Sequence, residues 1–347
     1  MTTVGGNGVA ISRAYYLEIV RPLLLGRFPG MPHAAGRLGA GSDVLGLDDE
    51  TSRDHDWGLR LNLFVPPHDV VAVDEELERY LPPEFRGLPA RFAFTGRDAQ
   101  RHHVDVSSAH DFLVAHLGFD PREGASPRDW LTLSGQSVLE VTAGPLFIDE
   151  TGELSAARRT LEWYPDDVWR HVLAADWIRL EQEMPLMGRA GDVGDERGSR
   201  IIAARLTQVV MHLAYLLERR FPPYPKWFGT LFDRLPCASE LGPIIDRVQT
   251  AAGWQDRQSA LADALQLLLQ TQNDAGLTDI PNATIPFWDR PFLHPAPSIA
   301  ASLLDAVDDE DVRGLPRGLG SIEQRTDLVD ILVDPMERRR VVFAEAG

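Results

Sequence analysis

The sequence predicts an α+β protein in two parts: short strands and helices over residues 1–155, then an all-α helical bundle over 156–347. Three observations predict it. Short apolar runs, some alternating and bounded by Gly, Pro or Asp, mark the first part. Beyond about residue 155 the apolar residues recur at helical spacing, between short Pro- and Gly-rich connectors. The length of 347 residues is long for one domain and comfortable for two.

In chain order, residues 11–26 carry apolar residues at helical spacing, with Pro22 as a kink. The small, Gly-rich "AAGRLGAGSDVLG" reads as a strand leading into a turn. In "HDWGLRLNLFV" the side chains of Trp57, Leu59, Leu61 and Leu63 fall on one face of a strand. Residues 67–81 read as a helix with Pro67 near N1 and Glu75, Glu76 and Glu78 on its polar side. "ARFAF" and "HHVDVS" are two short strands. "AHDFLVAHLG" is a helix closed by Gly118. Ser126 caps a helix with Pro127 at N1, and residues 138–154 read as a strand or hairpin. Four helices follow, over 165–184, 197–221, 242–253 and 257–274. The second places Ile201, Ala204, Leu206, Val209, Val210, Leu213, Leu216 and Leu217 on one broad face. The tail adds a strand and a last helix.

Composition narrows the function. A net charge of −18 repels a phosphate backbone, so a polynucleotide substrate is disfavoured. The single cysteine, Cys237, excludes an internal disulfide and a multi-cysteine zinc site, and no His near it in sequence suggests a nucleophile. There is no run of 18 apolar residues and no signal-peptide pattern, so a cytoplasmic protein away from membranes is expected.

The informative stretch is "GSDVLGLDDETSRDHDWG", residues 41–58. Gly41-Ser42 is followed after eleven residues by Asp54-His55-Asp56. On a strand, residues i and i+2 project to one side, so Asp54 and Asp56 converge. Two converging carboxylates repel each other unless a cation lies between them, and Mg²⁺ favours carboxylates together with phosphate oxygens. Asp105, set between Val104 and Val106, is a third carboxylate in an apolar strand, where a charge is costly unless it faces a site. Gly41 permits close backbone approach to an anion, and Ser42 offers a hydroxyl and an N–H. The plain alternative is a solvated acidic turn, since Asp43, Asp48, Asp49 and Glu50 lie nearby.

This order of residues resembles the polymerase-β-like nucleotidyltransferases: Gly-Ser, roughly ten residues, Asp-x-Asp, then a third Asp on a neighbouring strand. The resemblance implies a small mixed sheet backed by helices, two Mg²⁺ ions held by Asp54, Asp56 and Asp105, and a nucleoside triphosphate, ATP first. It implies transfer of a nucleoside monophosphate to an acceptor hydroxyl with release of pyrophosphate. The arrangement is also similar to aminoglycoside nucleotidyltransferases, where a helical domain follows the catalytic one. Together with "PKWFGTLF", the stretch resembles a bacterial family known only as a domain of unknown function. Two departures stand out. The middle residue of Asp-x-Asp is usually apolar and here is His55, and the motif runs directly into Trp57-Gly58.

Among 34 basic residues, Lys226 is the sole lysine, and an ammonium there would suit a triphosphate. Arg200 is a second candidate phosphate neutraliser, and Glu196 a candidate general base on the acceptor. Each also has an ordinary reading as a surface or helix-cap residue. His102 and His103 read as one core-facing and one solvent-facing residue rather than as metal ligands. The acceptor is expected to be a small molecule, then a protein side chain, then tRNA. A catalytically silent nucleotide-binding regulator, or a toxin/antitoxin-type partner protein, is the alternative, and pyrophosphate release separates these from an enzyme.

Overall fold

The computed structural model describes residues 8–49, 58–93 and 100–344. The chain is mixed α/β and forms two compact units, one of residues 1–125 with 137–162 and one of 126–136 with 163–347.

The chain begins with α1 (Gly8–Tyr15), a π-helical turn over Tyr16–Val20, and α2 (Arg21–Arg27). Pro22 accounts for the defect expected there. It has no N–H to donate, and its ring crowds the carbonyl four residues back, so the helix widens for one turn before it. Next come β1 (Ala34–Gly36), β2 (Arg60–Phe64) and a 3₁₀ turn at Pro67–Asp69 that leads into α3 (Val70–Tyr80). The strands β3 (Glu84–Phe85), β4 (Leu88–Pro89), β5 (Arg91–Phe92) and β6 (Arg101–Ser107) precede α4 (Ala109–Leu117). Ser108 caps α4 by accepting from the Asp111 N–H at 3.0 Å, and Gly118 closes it at φ 88°. The second unit contributes α5 (Pro127–Thr132), which opens with a Ser126/Asp129 capping box.

Residues 138–154 differ from the expected strand or hairpin. They form most of α6 (Gly135–Thr142), then β7 (Leu146–Asp149) and the start of α7 (Glu153–Thr160). Val138 and Val141, three residues apart, are both fully buried, so the helical period wins over β-branched propensity.

The sheet of the first unit has the order β5-β6-β2-β1-β7. Among the described residues only β2 and β6 run parallel, with Asn62 opposite Asp105. Leu59, Leu61 and Leu63 join Ile11, Tyr15, Val73 and Leu77 in the core, as their alternation predicts. Trp57 lies outside the described residues. The opposite face of β2 presents Arg60, Asn62 and Phe64, with Phe64 packed edge-on to Phe112 of α4 at 5.0 Å.

The second unit continues with α8 (Asp166–Asp192), α9 (Glu196–Leu217), α10 (Pro225–Phe232), α11 (Ala238–Thr250) and α12 (Trp254–Asp274). Here α8, α9 and α12 pack on one another around the fully buried Trp177, whose indole N–H donates to Gln272 Oε1 at 2.8 Å. The unit is not all-α. The antiparallel pair β8 (Thr284–Pro286) and β9 (Leu293–Pro295) follows α12, and Gln258 ties it down by accepting from the Leu293 N–H. The rest is α13 (Pro297–Asp305), α14 (Glu310–Arg313), α15 (Ile322–Arg325), α16 (Val329–Val333) and α17 (Pro335–Phe343), and the expected tail strand is absent among the described residues. On α9, Ile201 and Ala204 are exposed, while Ala203 and Thr207 are buried. The first turns of α9 therefore present a face rotated from the apolar stripe. By length and composition α9 alone among the described helices could cross a membrane; 61% of that stretch is buried within the protein, as suits its place in the core.

Candidate functional site

The Gly41-Ser42 turn is built around a buried ion pair. Arg37, 1% exposed, donates from Nε and Nη2 to the two carboxylate oxygens of Asp43, at 2.7 and 2.8 Å. Its remaining donors reach the carbonyls of Leu38 and Ala40. This satisfies a guanidinium that would otherwise be very costly to bury. Gly41 has φ +146°, and a Cβ there would stand 2.3 Å from Asp43 Oδ1 and 2.4 Å from Arg37 Nη2. Only glycine lets the backbone pass so close to the pair. The Gly41 carbonyl accepts from Val44 N–H, and the Ser42 carbonyl from Leu45 and Leu47 N–H.

The acids that suggested a solvated turn are partly structural. Asp43 pairs with Arg37, and Asp48 accepts from the Gly8 N–H at 2.8 Å, capping α1. Asp54, His55 and Asp56 lie outside the described residues.

The turn sits against the β2–β6 pair. Leu38 N–H donates to Asn62 Oδ1 at 2.8 Å, and the Asn62 amide donates to Asp105 Oδ2 at 3.4 Å. The position of a Gly41 Cβ lies 3.4 Å from Arg60 Nη1. Gly41-Ser42, Arg60, Asn62 and Asp105 are thus brought to one face of the sheet. Asp105 is exposed, so the expected cost of burying a charge between two valines does not arise: Val104 takes the core face and Asp105 the open one. An open cleft of about 640 Å³ runs here, lined by Arg60, Asn62 and Asp105 among others. His102 is buried beneath α3, with Nε2 3.4 Å from Asp74 Oδ1. His103 lies on the Phe92 ring at 3.8 Å, with Nε2 2.8 Å from the Phe92 carbonyl oxygen. Gly58 accommodates the same ring, since a Cβ there would meet it at 3.1 Å.

The other candidates belong to the second unit. Glu196, in the first turn of α9, is held by Arg257 at 3.1 Å. Arg257 is fully buried and also donates to Ser199 Oγ at 2.6 Å, so Glu196 balances a buried charge. Arg200 is exposed on α9. Lys226 is exposed, with its ammonium 4.8 Å from the centre of the Trp227 ring. Burial, aided by Glu218, pushes the Cys237 thiol up to about 12, so it is not a thiolate at neutral pH.

Sequence reasoning missed three features. Asn62 is the link between turn and third carboxylate; its signal was a lone amide in the apolar run "RLNLF". His110, Asp120 and Glu123 have ligand atoms within 4.8 Å of one another. Burial would raise the Asp120 carboxyl, but hydrogen bonds from Arg122 outweigh it and hold it below the usual range. That guanidinium already fills the cation's role. The third feature is a buried Asp176–His212 pair in the second unit, each a polar residue inside an apolar helical run.

Residues 130–228 match a family described as a domain of unknown function (DUF4037). The match includes Lys226 and excludes the Gly41–Asp56 stretch. No curated protein is significantly similar to the chain. Among solved structures it is similar to a nucleotidyltransferase-like protein from Exiguobacterium sibiricum 255-15, at 13% identity and a TM-score of 0.34, covering 97% of this chain and 91% of that one.

Proposed function

We propose that the chain is a nucleotidyltransferase that moves a nucleoside monophosphate from a nucleoside triphosphate, ATP first, to a hydroxyl of a small-molecule acceptor. The observation that carries this reading is the juxtaposition of the Gly41-Ser42 turn with Asp105 through Asn62. A phosphate-approaching turn and an exposed carboxylate on one sheet face are what such chemistry requires. Asp54 and Asp56, by their place in the sequence motif, complete the set.

The donor set suits Mg²⁺, since Asp105 offers oxygen only and no described guanidinium neutralises it. Asp54, Asp56 and Asp105 would hold two such ions, whose chemistry is to offset charge developing on phosphate oxygens. The chain's own groups orient the substrate. The Gly41-Ser42 backbone approaches the phosphates, and Arg60 adds a positive group beside it. A bond forms from the acceptor oxygen to the α-phosphorus, the bond to the pyrophosphate oxygen breaks, and the hydroxyl proton passes to a base, for which Asp105 is the candidate. Catalysis by alignment then needs no covalent enzyme intermediate.

The test is a thermal-shift titration of each nucleoside triphosphate with and without Mg²⁺, on the wild type, Asp56→Asn and Asp105→Asn, followed by a pyrophosphate-release assay over candidate acceptors. Stabilisation that needs Mg²⁺ and disappears in both variants is expected, because a native-state ligand raises the melting temperature by mass action. Retained turnover in Asp105→Asn would remove that residue from the site. Binding without pyrophosphate release from any acceptor would point to the silent regulator instead.

A further inference from the structure

Asn62 lies in the middle strand of the five, between Leu61 and Leu63 of the core, and is itself 7% exposed. Asparagine is depleted in strands, and a buried amide is costly unless its polar ends are bonded. Here both ends are. Leu38 N–H donates to Asn62 Oδ1 at 2.8 Å, and Asn62 Nδ2 donates to Asp105 Oδ2 at 3.4 Å. The partners dictate which end is which. A backbone N–H can only donate, so it meets the oxygen; a carboxylate accepts, so it meets the amino group.

Each end has its own consequence. Leu38 is fixed twice, its carbonyl accepting from Arg37 and its N–H bonded to Asn62. Asn62 Oδ1 therefore belongs to the framework that holds the Gly41-Ser42 turn. The other end reaches an exposed side chain. Asp105 pairs with Asn62 across β2 and β6, while on β1 the residue opposite is Gly36, which has no side chain to compete for the amide. Among the described residues the Asn62 amide is the one hydrogen-bond donor to the Asp105 carboxylate. A carboxylate on an open sheet face turns easily about its last torsion, which is broad and two-fold. The contact at Oδ2 sets its plane. It is long for such a bond, so its effect is orientation more than binding strength.

We propose that Asn62 is a positioning residue of this site: its amide, held in one orientation by Leu38, sets the Asp105 carboxylate in register with the Gly41-Ser42 turn. The residue acts through Asp105, not on the reacting atoms. The inference rests on the nucleotidyltransferase reading, and it accounts for an amide in an otherwise apolar strand. Leucine there would leave the Leu38 N–H unpaired and Asp105 unheld. Aspartate would accept from Leu38 but set a second carboxylate against Asp105.

The experiment is a double-mutant cycle on metal affinity. The probe is Mn²⁺ with α,β-methylene-ATP, whose α–β bridge is not cleaved, and free Mn²⁺ is read by electron paramagnetic resonance. Groups that orient a metal ligand are worth about ten- to a hundredfold in affinity, so Asn62→Leu should weaken Mn²⁺ binding by at least about tenfold. In the Asp105→Ala background the same substitution should cost less than about threefold, because the group it acts through is gone. A residue that merely supports the strand would cost the same in both backgrounds. Asn62→Thr suits a strand but is too short to reach both partners; it serves, with the same expectation, if Asn62→Leu does not fold. Asp105→Glu, which moves the carboxylate one methylene further out, replaces Asp105→Ala if that variant leaves no affinity to measure. Equal penalties in the two backgrounds, or wild-type affinity in Asn62→Leu, overturns the proposal and leaves the nucleotide reading in place. A wild type that does not bind the Mn²⁺–nucleotide pair overturns both.

Discussion

Arg37→Met tests whether the Gly41-Ser42 turn is held by its buried ion pair. The methionine keeps most of the length of the arginine stem and removes the charge. Asp43, with a side chain 10% exposed, then loses both of its bonds to Arg37, and the carbonyls of Leu38 and Ala40 each lose a donor. Removing one partner of a buried pair costs about 3–5 kcal/mol, mostly because the other charge is left uncompensated. The loss should be local to β1, the turn and the start of β2, since Leu38 also anchors Asn62. Native-state hydrogen exchange read by mass spectrometry over peptides spanning residues 33–64 is the assay. A cost of that size corresponds to exchange faster by roughly a hundred- to a few thousand-fold. The double variant Arg37→Met/Asp43→Leu should recover much of it, because an apolar pair replaces an unpaired charge. Acceleration of less than about tenfold in the single variant, or no recovery in the double, would refute the reasoning.

Gly41→Ala pushes a methyl into the same pair and occupies a backbone region that L side chains avoid, so it should cost about 1–3 kcal/mol by the same exchange assay and abolish nucleotide-dependent thermal stabilisation. Gly191→Ala places a Cβ 2.3 Å from the Trp254 Cβ, and should lower stability by about 1–3 kcal/mol in urea unfolding followed by tryptophan fluorescence. The His212 proton is held up to about 10 in the folded chain against an ordinary value of 6.5. Its stabilisation is therefore complete below pH 6.5 and is lost as pH rises from there through 10, at no more than about 1.4 kcal/mol per pH unit. His212→Gln should flatten that window of the stability profile. Burial pushes the Tyr15 hydroxyl up to about 12, so its contribution falls only above the tyrosine range near 10 and leaves the lower window unaffected.

Much of the fold was legible because its causes are local. Helix ends followed from Gly118 and from Ser126 with Pro127, each of which terminates or satisfies a turn within a few residues. The core face of β2 followed from alternation alone. What failed locally was α6, where the burial of Val138 and Val141 outweighs their preference for a strand, and the face of the first α9 turns, where Ile201 is left exposed.

For the candidate site, the residues of the first unit are named by their spacing, since Gly41-Ser42 and an acid on a neighbouring strand are a pattern in one dimension. Which acids are already neutralised is a different kind of fact. Asp43 and Asp48 stand in the same acidic run, yet one balances Arg37 and the other caps a helix 40 residues away in the chain. Glu196 looks like a free base in sequence, and in space it answers a fully buried Arg257, 61 residues on. Asp176 and His212 are 36 residues apart, and neither carries a mark of the other. Periodicity, caps and turns belong to the sequence because they are settled within a turn or two of backbone. The state of each charge belongs to the tertiary structure, because a carboxylate's energy depends on what the fold brings within about 4 Å of it.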